Sequence, residues 1–211
     1  MNHDHHLREI IAELPYWPSV SYLANLTNAK LLLLENCEHF VKSSNRNRCW
    51  IAGANGPLQL SIPIAGGRSH KQFYREALTD ASKAWRRQHW HSIQSAYGKS
   101  PFFEFYELEL ASIYTSDENK LWEFNLLLIK WILEKLTLRP AIAYTDCFRP
   151  QYEQNDYRLY GTWQRSELPS YYQCFSEKTG FLSDMAGLDL LFNLGPQGAV
   201  SYLLKIHPIS A

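Results

Sequence analysis

The sequence has no surplus of either charge: 21 Lys and Arg stand against 21 Asp and Glu in 211 residues. Extended nucleic-acid and membrane-surface binders carry a basic excess, so this balance argues against both, while leaving room for a local basic pocket. Cysteine is sparse. Cys37, Cys49, Cys147 and Cys174 are widely spaced and form no C-x-x-C pair, which argues against a disulfide framework and for reduced thiols. The stretch from Met1 to Glu9 is charged and lacks an apolar signal core. The longest aliphatic run, Leu31 to Leu34, is far too short to span a bilayer. A cytoplasmic protein with no membrane insertion and no nucleic-acid partner is expected. There is no internal repeat, no Walker or dinucleotide fingerprint and no metal-ligand spacing, so no cofactor is indicated. His3, His5 and His6 read as a frayed terminus rather than a metal site.

What the chain does have is apolar and aromatic residues. Hydrophobic residues make up 45% of it, with 13 Tyr, 10 Phe and 7 Trp, which is too apolar for disorder and enough for a substantial core. One domain over residues 16–205 is expected, preceded by a mobile segment, 1–15. Ser19 is placed to cap a short helix through Val20, Leu23, Ala24 and Leu26. Lys30 to Glu35 reads as a buried strand, since its four leucines leave no polar face. Arg48 to Ile51, then Gly53-Ala54-Asn55-Gly56-Pro57, then the alternation of Leu58, Leu60, Ile62 and Ile64 predict a hairpin. Residues 65–71 read as a flexible basic loop. Helices are predicted from about Lys83 to Tyr97, from Pro101 through Tyr106, and from about Glu118 to Leu136, the last apolar on most sides and therefore central. Residues 139–171 read as a long ordered loop or lid, residues 171–175 as a strand, and 187–194 and 197–204 as two helices parted by Pro196. The expected class is α+β, with a mostly antiparallel sheet from the N-terminal half covered by helices.

Several groups carry potential chemistry. Lys42, Arg46, Asn47 and Arg48 form the first. Paired guanidiniums suit a bidentate phosphate or carboxylate, and the alternative is salt bridging to Glu35 or Glu38. Arg68, His70, Lys71 and Arg75 form a second basic cluster, behind Gly66 and Gly67, which permit close backbone approach. His89 and His91 cannot chelate one metal, because positions i and i+2 diverge on a helix. His89 shares a stripe with Trp85 and Ile93, so it is either a core histidine satisfied by a carbonyl or a general acid/base. Cys37, His39 and Cys49 raise a cysteine-nucleophile alternative without an orienting third residue. Tyr97, Phe103 and Tyr106 could wall a pocket, with Glu104 as a proton donor or hydroxyl acceptor. Asn125, on the central apolar helix, needs partners if buried, and pinning a loop would supply them.

Together, Tyr16-Trp17-Pro18-Ser19-Val20-Ser21-Tyr22, Arg46-Asn47-Arg48-Cys49, Gly53-Ala54-Asn55-Gly56, His89-Trp90, Ser95-Ala96-Tyr97, Ser100-Pro101-Phe102-Phe103-Glu104, Gly180-Phe181 and Asp189-Leu190-Leu191-Phe192-Asn193 resemble the WbqC-like family from about Tyr16 to Leu204. The family pattern often reads Tyr-Phe-Pro where this chain has Tyr16-Trp17-Pro18. Many members carry paired aspartates where it has Glu35-Asn36. Members occur in bacterial O-antigen and surface-polysaccharide gene clusters. The resemblance implies a transferase acting on a nucleotide-sugar or an activated acyl or aminoacyl donor. On that expectation His89 and Glu104 move protons. A small anionic substrate is held by Lys42, Arg46, Asn47, Arg48 and Lys71, with Tyr97, Phe103, Tyr106 and Asn125 lining the site. A non-catalytic carbohydrate- or protein-binding scaffold is the alternative, favoured by an exposed patch of Trp163, Tyr171 and Tyr172.

Overall fold

The computed structural model describes residues 8–66, 72–82, 84–153, 155–158 and 167–206. Its main sheet is parallel, which overturns the expected antiparallel one. Strands β1 (Arg8–Ala12), β2 (Ala29–Leu34) and β5 (Ala141–Tyr144) lie in the order β1-β2-β5. In register, Ile10 pairs with Leu32, Ala12 with Leu34, and Leu34 with Tyr144. Asn155 and Tyr157 bond the free edge of β1 at Ile11, extending the sheet by a short bridge. Among the described residues, the antiparallel strand pair is the hairpin of β3 (Arg48–Gly53) and β4 (Gly56–Ser61), separate from the main sheet and accompanied by isolated antiparallel bridges. It turns through Ala54 and Asn55, and Gly56 closes it at φ 111°, a conformation that costs glycine alone little.

The parallel pairing follows from how β1 and β2 are joined. A two-residue turn cannot connect parallel neighbours, and a crossover must intervene. Here it carries α1 (Val20–Leu26), capped by the Ser19 hydroxyl, which accepts from the Tyr22 amide. Asp184 receives both the amide and the hydroxyl of Ser21, at 2.8 Å each, and so fixes where α1 starts. The second crossover, from β2 to β5, contains the hairpin, α2 (Ala84–Tyr97), α3 (Glu107–Thr115) and α4 (Leu121–Lys135). The segment expected to be mobile contributes β1, whose Ile10, Ile11 and Ala12 are buried. The expected loop over 139–171 contributes β5, and the expected strand over 171–175 is absent.

Helix α4 is central, as its apolar girth requires: Leu121, Phe124, Asn125, Leu128, Ile129 and Ile132 are all fully buried. The short α5 (Ser176–Thr179) precedes α6 (Gly187–Lys205), which breaks at Gly195 (φ 68°) just before Pro196, giving the two expected segments. Gly187 lets α6 approach α1, because a Cβ there would fall 2.3 Å from Leu23 Cδ1.

Candidate active site

Parallel strands end together, and in open α/β sheets ligands bind beyond the carboxyl ends. In this sheet those ends carry polar groups, two of them carboxyls. Glu13 follows β1, Glu35 follows β2 and Thr145 follows β5. Glu35 is fully buried: Oε1 accepts from the Thr145 hydroxyl at 2.7 Å and the Cys37 amide at 2.9 Å, and Oε2 accepts from Arg158 at 3.0 Å. Arg158 also forks onto both oxygens of Asp156, at 2.8 and 2.6 Å, and stacks 4.7 Å from the Tyr152 ring centre. Glu38 joins the two halves, with Oε1 3.5 Å from Arg158 and Oε2 on Arg46. Arg46 Nε then donates to Glu13 Oε2 at 3.2 Å, and its Nη1 to the His39 carbonyl at 2.6 Å.

One ion-pair network therefore runs Glu13–Arg46–Glu38–Arg158–Glu35, with Asp156 attached. Four carboxylates face two guanidiniums. Burial pushes the Glu13 carboxyl up from 4.5 to about 7, although Arg46 pulls the other way. Glu13 also borders a pocket lined by Ile10, Ala12, Trp17, Asn25, Asn45 and Tyr157, among others.

The family decides itself here: a WbqC-like family model matches residues 15–161, most of the chain. This chain belongs to the WbqC-like protein family. The match ends before the Asp189 to Asn193 motif. Comparison with curated proteins and with solved structures finds no match. Among the described residues, no helix is long and apolar enough to cross a membrane. No group of three or more His, Cys, Asp or Glu residues suited to a metal ion is found among them either.

Of the expected site residues, only Arg46 belongs to this network, and its charge is already engaged by Glu13 and Glu38. The salt-bridge alternative, through Glu38, describes it. Asn125 is the loop pin: its Nδ2 donates to the Arg46 carbonyl and to the Tyr74 hydroxyl, at 2.7 Å each. Asn47 ties the Ile62 carbonyl at 3.0 Å. Arg48 starts β3 with its Nε buried and unpartnered, and Lys42 is exposed. Arg68, His70 and Lys71 lie outside the described residues.

His89 lies in the core. Its Nδ1 meets the Tyr16 hydroxyl at 2.8 Å, its ring also bonds the Ser61 carbonyl, and burial lowers its pKa to about 4. With the other nitrogen donating to Ser61, Nδ1 must accept, so Tyr16 donates to His89. Tyr114 then donates to Tyr16 at 2.6 Å and receives the Trp17 indole N–H at 2.9 Å. This chain uses the imidazole as a neutral terminal acceptor. Glu104 is exposed on a 3-10 turn, Phe103–Phe105. Tyr97, Phe103 and Tyr106 do come together, but around the Phe192 ring at 5.3, 5.3 and 6.1 Å, as packing rather than a pocket wall.

Cys49 is buried and its thiol is pushed well up by burial, while Cys37 donates to Asn36 Oδ1 and the Thr145 carbonyl. Among the described residues, no histidine bonds either thiol. Trp163 lies outside the described residues. Tyr171 is half-buried, its hydroxyl donating to Asp189 at 2.5 Å, and Tyr172 is exposed. Asp189 is held at about 6 by burial, against hydrogen bonds from Tyr171, Gln173 and Tyr97.

Sequence reasoning missed Glu13, Asn25, Thr145, Asp156 and Arg158; it saw Asn45 only as a neighbour of Arg46, Glu38 as a partner for arginine, and Glu35 as such a partner and as the place of the family's paired aspartates. A signal was present for two of them. Glu13 and Glu35 each directly follow an apolar strand, where a carboxylate is buried unless the chain turns outward.

Proposed function

We propose that this WbqC-like protein is a transferase of bacterial surface-polysaccharide metabolism, working at the carboxyl edge of the parallel sheet with Glu13 as its proton-exchanging group. The donor is a nucleotide-sugar or an activated acyl or aminoacyl compound. The observation that carries this reading is Glu13 itself: a carboxyl with a pKa of about 7, beside a guanidinium, on the wall of a pocket. A general base works best with a pKa near the operating pH. The buried ion-pair network supports the same place. Burying this many charges costs more desolvation than a hydrophobic replacement would, so stability alone gives little reason for it.

In the transfer, the acceptor's X–H bond breaks as X bonds the donor's electrophilic carbon. The proton goes to the Glu13 carboxylate, and the donor's leaving group departs with the electrons of its bond. Arg46 keeps its charge throughout and balances the carboxylate before the proton arrives.

The test screens nucleotide-sugars, acyl donors and aminoacyl donors by thermal shift, then follows product by mass spectrometry with candidate acceptors. Wild-type protein should give product, and Glu13→Gln should still bind the donor while losing roughly 10²–10⁴-fold in rate. Equal rates for the two proteins would refute the role of Glu13. Stabilisation by carbohydrate with no turnover of any donor would replace the transferase reading with the scaffold one.

A further inference from the structure

The pocket beside Glu13 has an unbalanced lining. Its cavity volume is about 60 Å³, several times what a single water needs. Most of its polar groups are already committed. The Ser19 hydroxyl caps α1, the Ser21 hydroxyl donates to Asp184, and the Tyr22 hydroxyl donates to the Glu13 carbonyl at 3.0 Å. Two residues of the lining each carry a buried side-chain oxygen without a partner: Asn25 Oδ1 and Asn45 Oδ1. Asn25 is only 6% exposed. Its amide orientation is fixed, because Nδ2 donates to the Ser21 carbonyl at 3.0 Å. Both uncommitted atoms are acceptors, and a buried acceptor without a donor is destabilising.

The charge of the wall points the same way. Among the described residues of the lining, Glu13 is the single carboxylic acid and there is no Lys, Arg or His. Behind it stands a network richer in carboxylates than in guanidiniums. Much of the remaining surface comes from apolar Ile10, Ala12 and Leu26 and from the rings of Trp17 and Tyr157.

We infer that this pocket binds a protonated primary amine on a short aliphatic stem, its ammonium hydrogens donated to Asn25 Oδ1, Asn45 Oδ1 and the Glu13 carboxylate. An ammonium supplies three donors and no acceptor, which matches this lining. A carboxylate or phosphate supplies only acceptors and would leave both amide oxygens unpaired. The expected anionic substrate therefore does not fit this pocket. Resting on the transferase reading, the inference makes the acceptor substrate an amine: the ammonium gives one proton to the Glu13 carboxylate, the freed nitrogen lone pair bonds the donor carbon, and the second proton leaves with the departing group. The binding claim stands without that reading.

The probes are n-butylamine, n-butanol and butyrate at neutral pH, titrated into the full chain and followed by backbone amide shifts and calorimetry. Butylammonium should bind at least tenfold more tightly than butanol, shifting amides of Ser21 to Leu26 and of Asn45. Asn25→Leu and Asn45→Ala should each weaken the amine at least fivefold and leave butanol unchanged. Amide spectra of the free variants establish that they fold. Equal affinity for amine and alcohol would reduce the pocket to an apolar hole and overturn the inference. So would tighter binding of butyrate, or no binding of any probe, the result expected if ordered water alone satisfies the two oxygens. Amine binding without turnover of any activated donor would instead refute the transferase reading and leave this one intact.

Discussion

Replacing Arg158 with methionine removes the cation that holds two strand ends together. The side chains of Arg158 and Glu35 are 3% and 0% exposed, and Arg158 also carries the Asp156 fork. Methionine keeps much of the stem's volume against Tyr152 and deletes the charge. Glu35 would then stay buried with only the Thr145 hydroxyl and the Cys37 amide as donors. Removing one member of a buried pair costs about 3–5 kcal/mol. For a chain of this length each kcal/mol is worth roughly 2–4 °C, so the melting temperature should fall by about 6–20 °C. Urea denaturation at pH 7 gives the free energy directly. Lys135→Met is the control: its partner Glu109 is 51% exposed, so the loss there should stay below about 1 kcal/mol. In the double variant Arg158→Met/Glu35→Gln part of the loss should return, with a coupling above about 1 kcal/mol. A cost for Arg158→Met no larger than for Lys135→Met, with no coupling to Glu35, would refute the buried network.

Two further outcomes follow from the fold. His89 has a folded pKa of about 4, below its ordinary 6.5, so between those values the unfolded chain binds more protons and stability is lost as pH falls. The difference amounts to about 3 kcal/mol. His89→Gln should lack this component, and urea midpoints measured from pH 7 to 4 should fall less steeply than in wild type; parallel curves would disprove a neutral buried imidazole. Gly195→Ala combines a positive φ with a Cβ 2.6 Å from the Phe102 ring, so it should cost about 1–3 kcal/mol, read as a lower melting temperature. No change would mean that Gly195 does not hold the break in α6.

Local signals in the sequence were faithful where the structure is local. The Ser19 cap, the Gly56 hairpin and the apolar girth of α4 each follow from neighbours in sequence. Pairing between distant strands did not show. Ala141 to Tyr144 is only four residues long and sits in a polar, aromatic stretch, so nothing marks it as the partner of Leu31 to Leu34. The one conspicuous turn belongs to a small hairpin, and it drew the whole sheet toward an antiparallel reading. Arg8 and Glu9 made β1 look like a tail, although Ile10 to Ala12 complete the sheet. The site failed to show for the same reason. Glu13, Glu35, Thr145 and Arg158 are far apart in the chain and meet only because parallel strands end on one edge. Arginine and histidine drew attention by residue type, yet Arg46 is neutralised by carboxylates and His89 ends a tyrosine chain.

On the proposed reading, the carboxyl edge holds a carboxyl group able to exchange a proton near neutral pH. Carbon-13 NMR of side-chain carboxyls in glutamate-labelled protein tests it directly, with Glu13→Gln identifying the resonance. Glu13 should titrate with a midpoint at about 7. A midpoint near the ordinary 4.5 would contradict it, leaving Glu13 as a plain salt-bridge partner of Arg46.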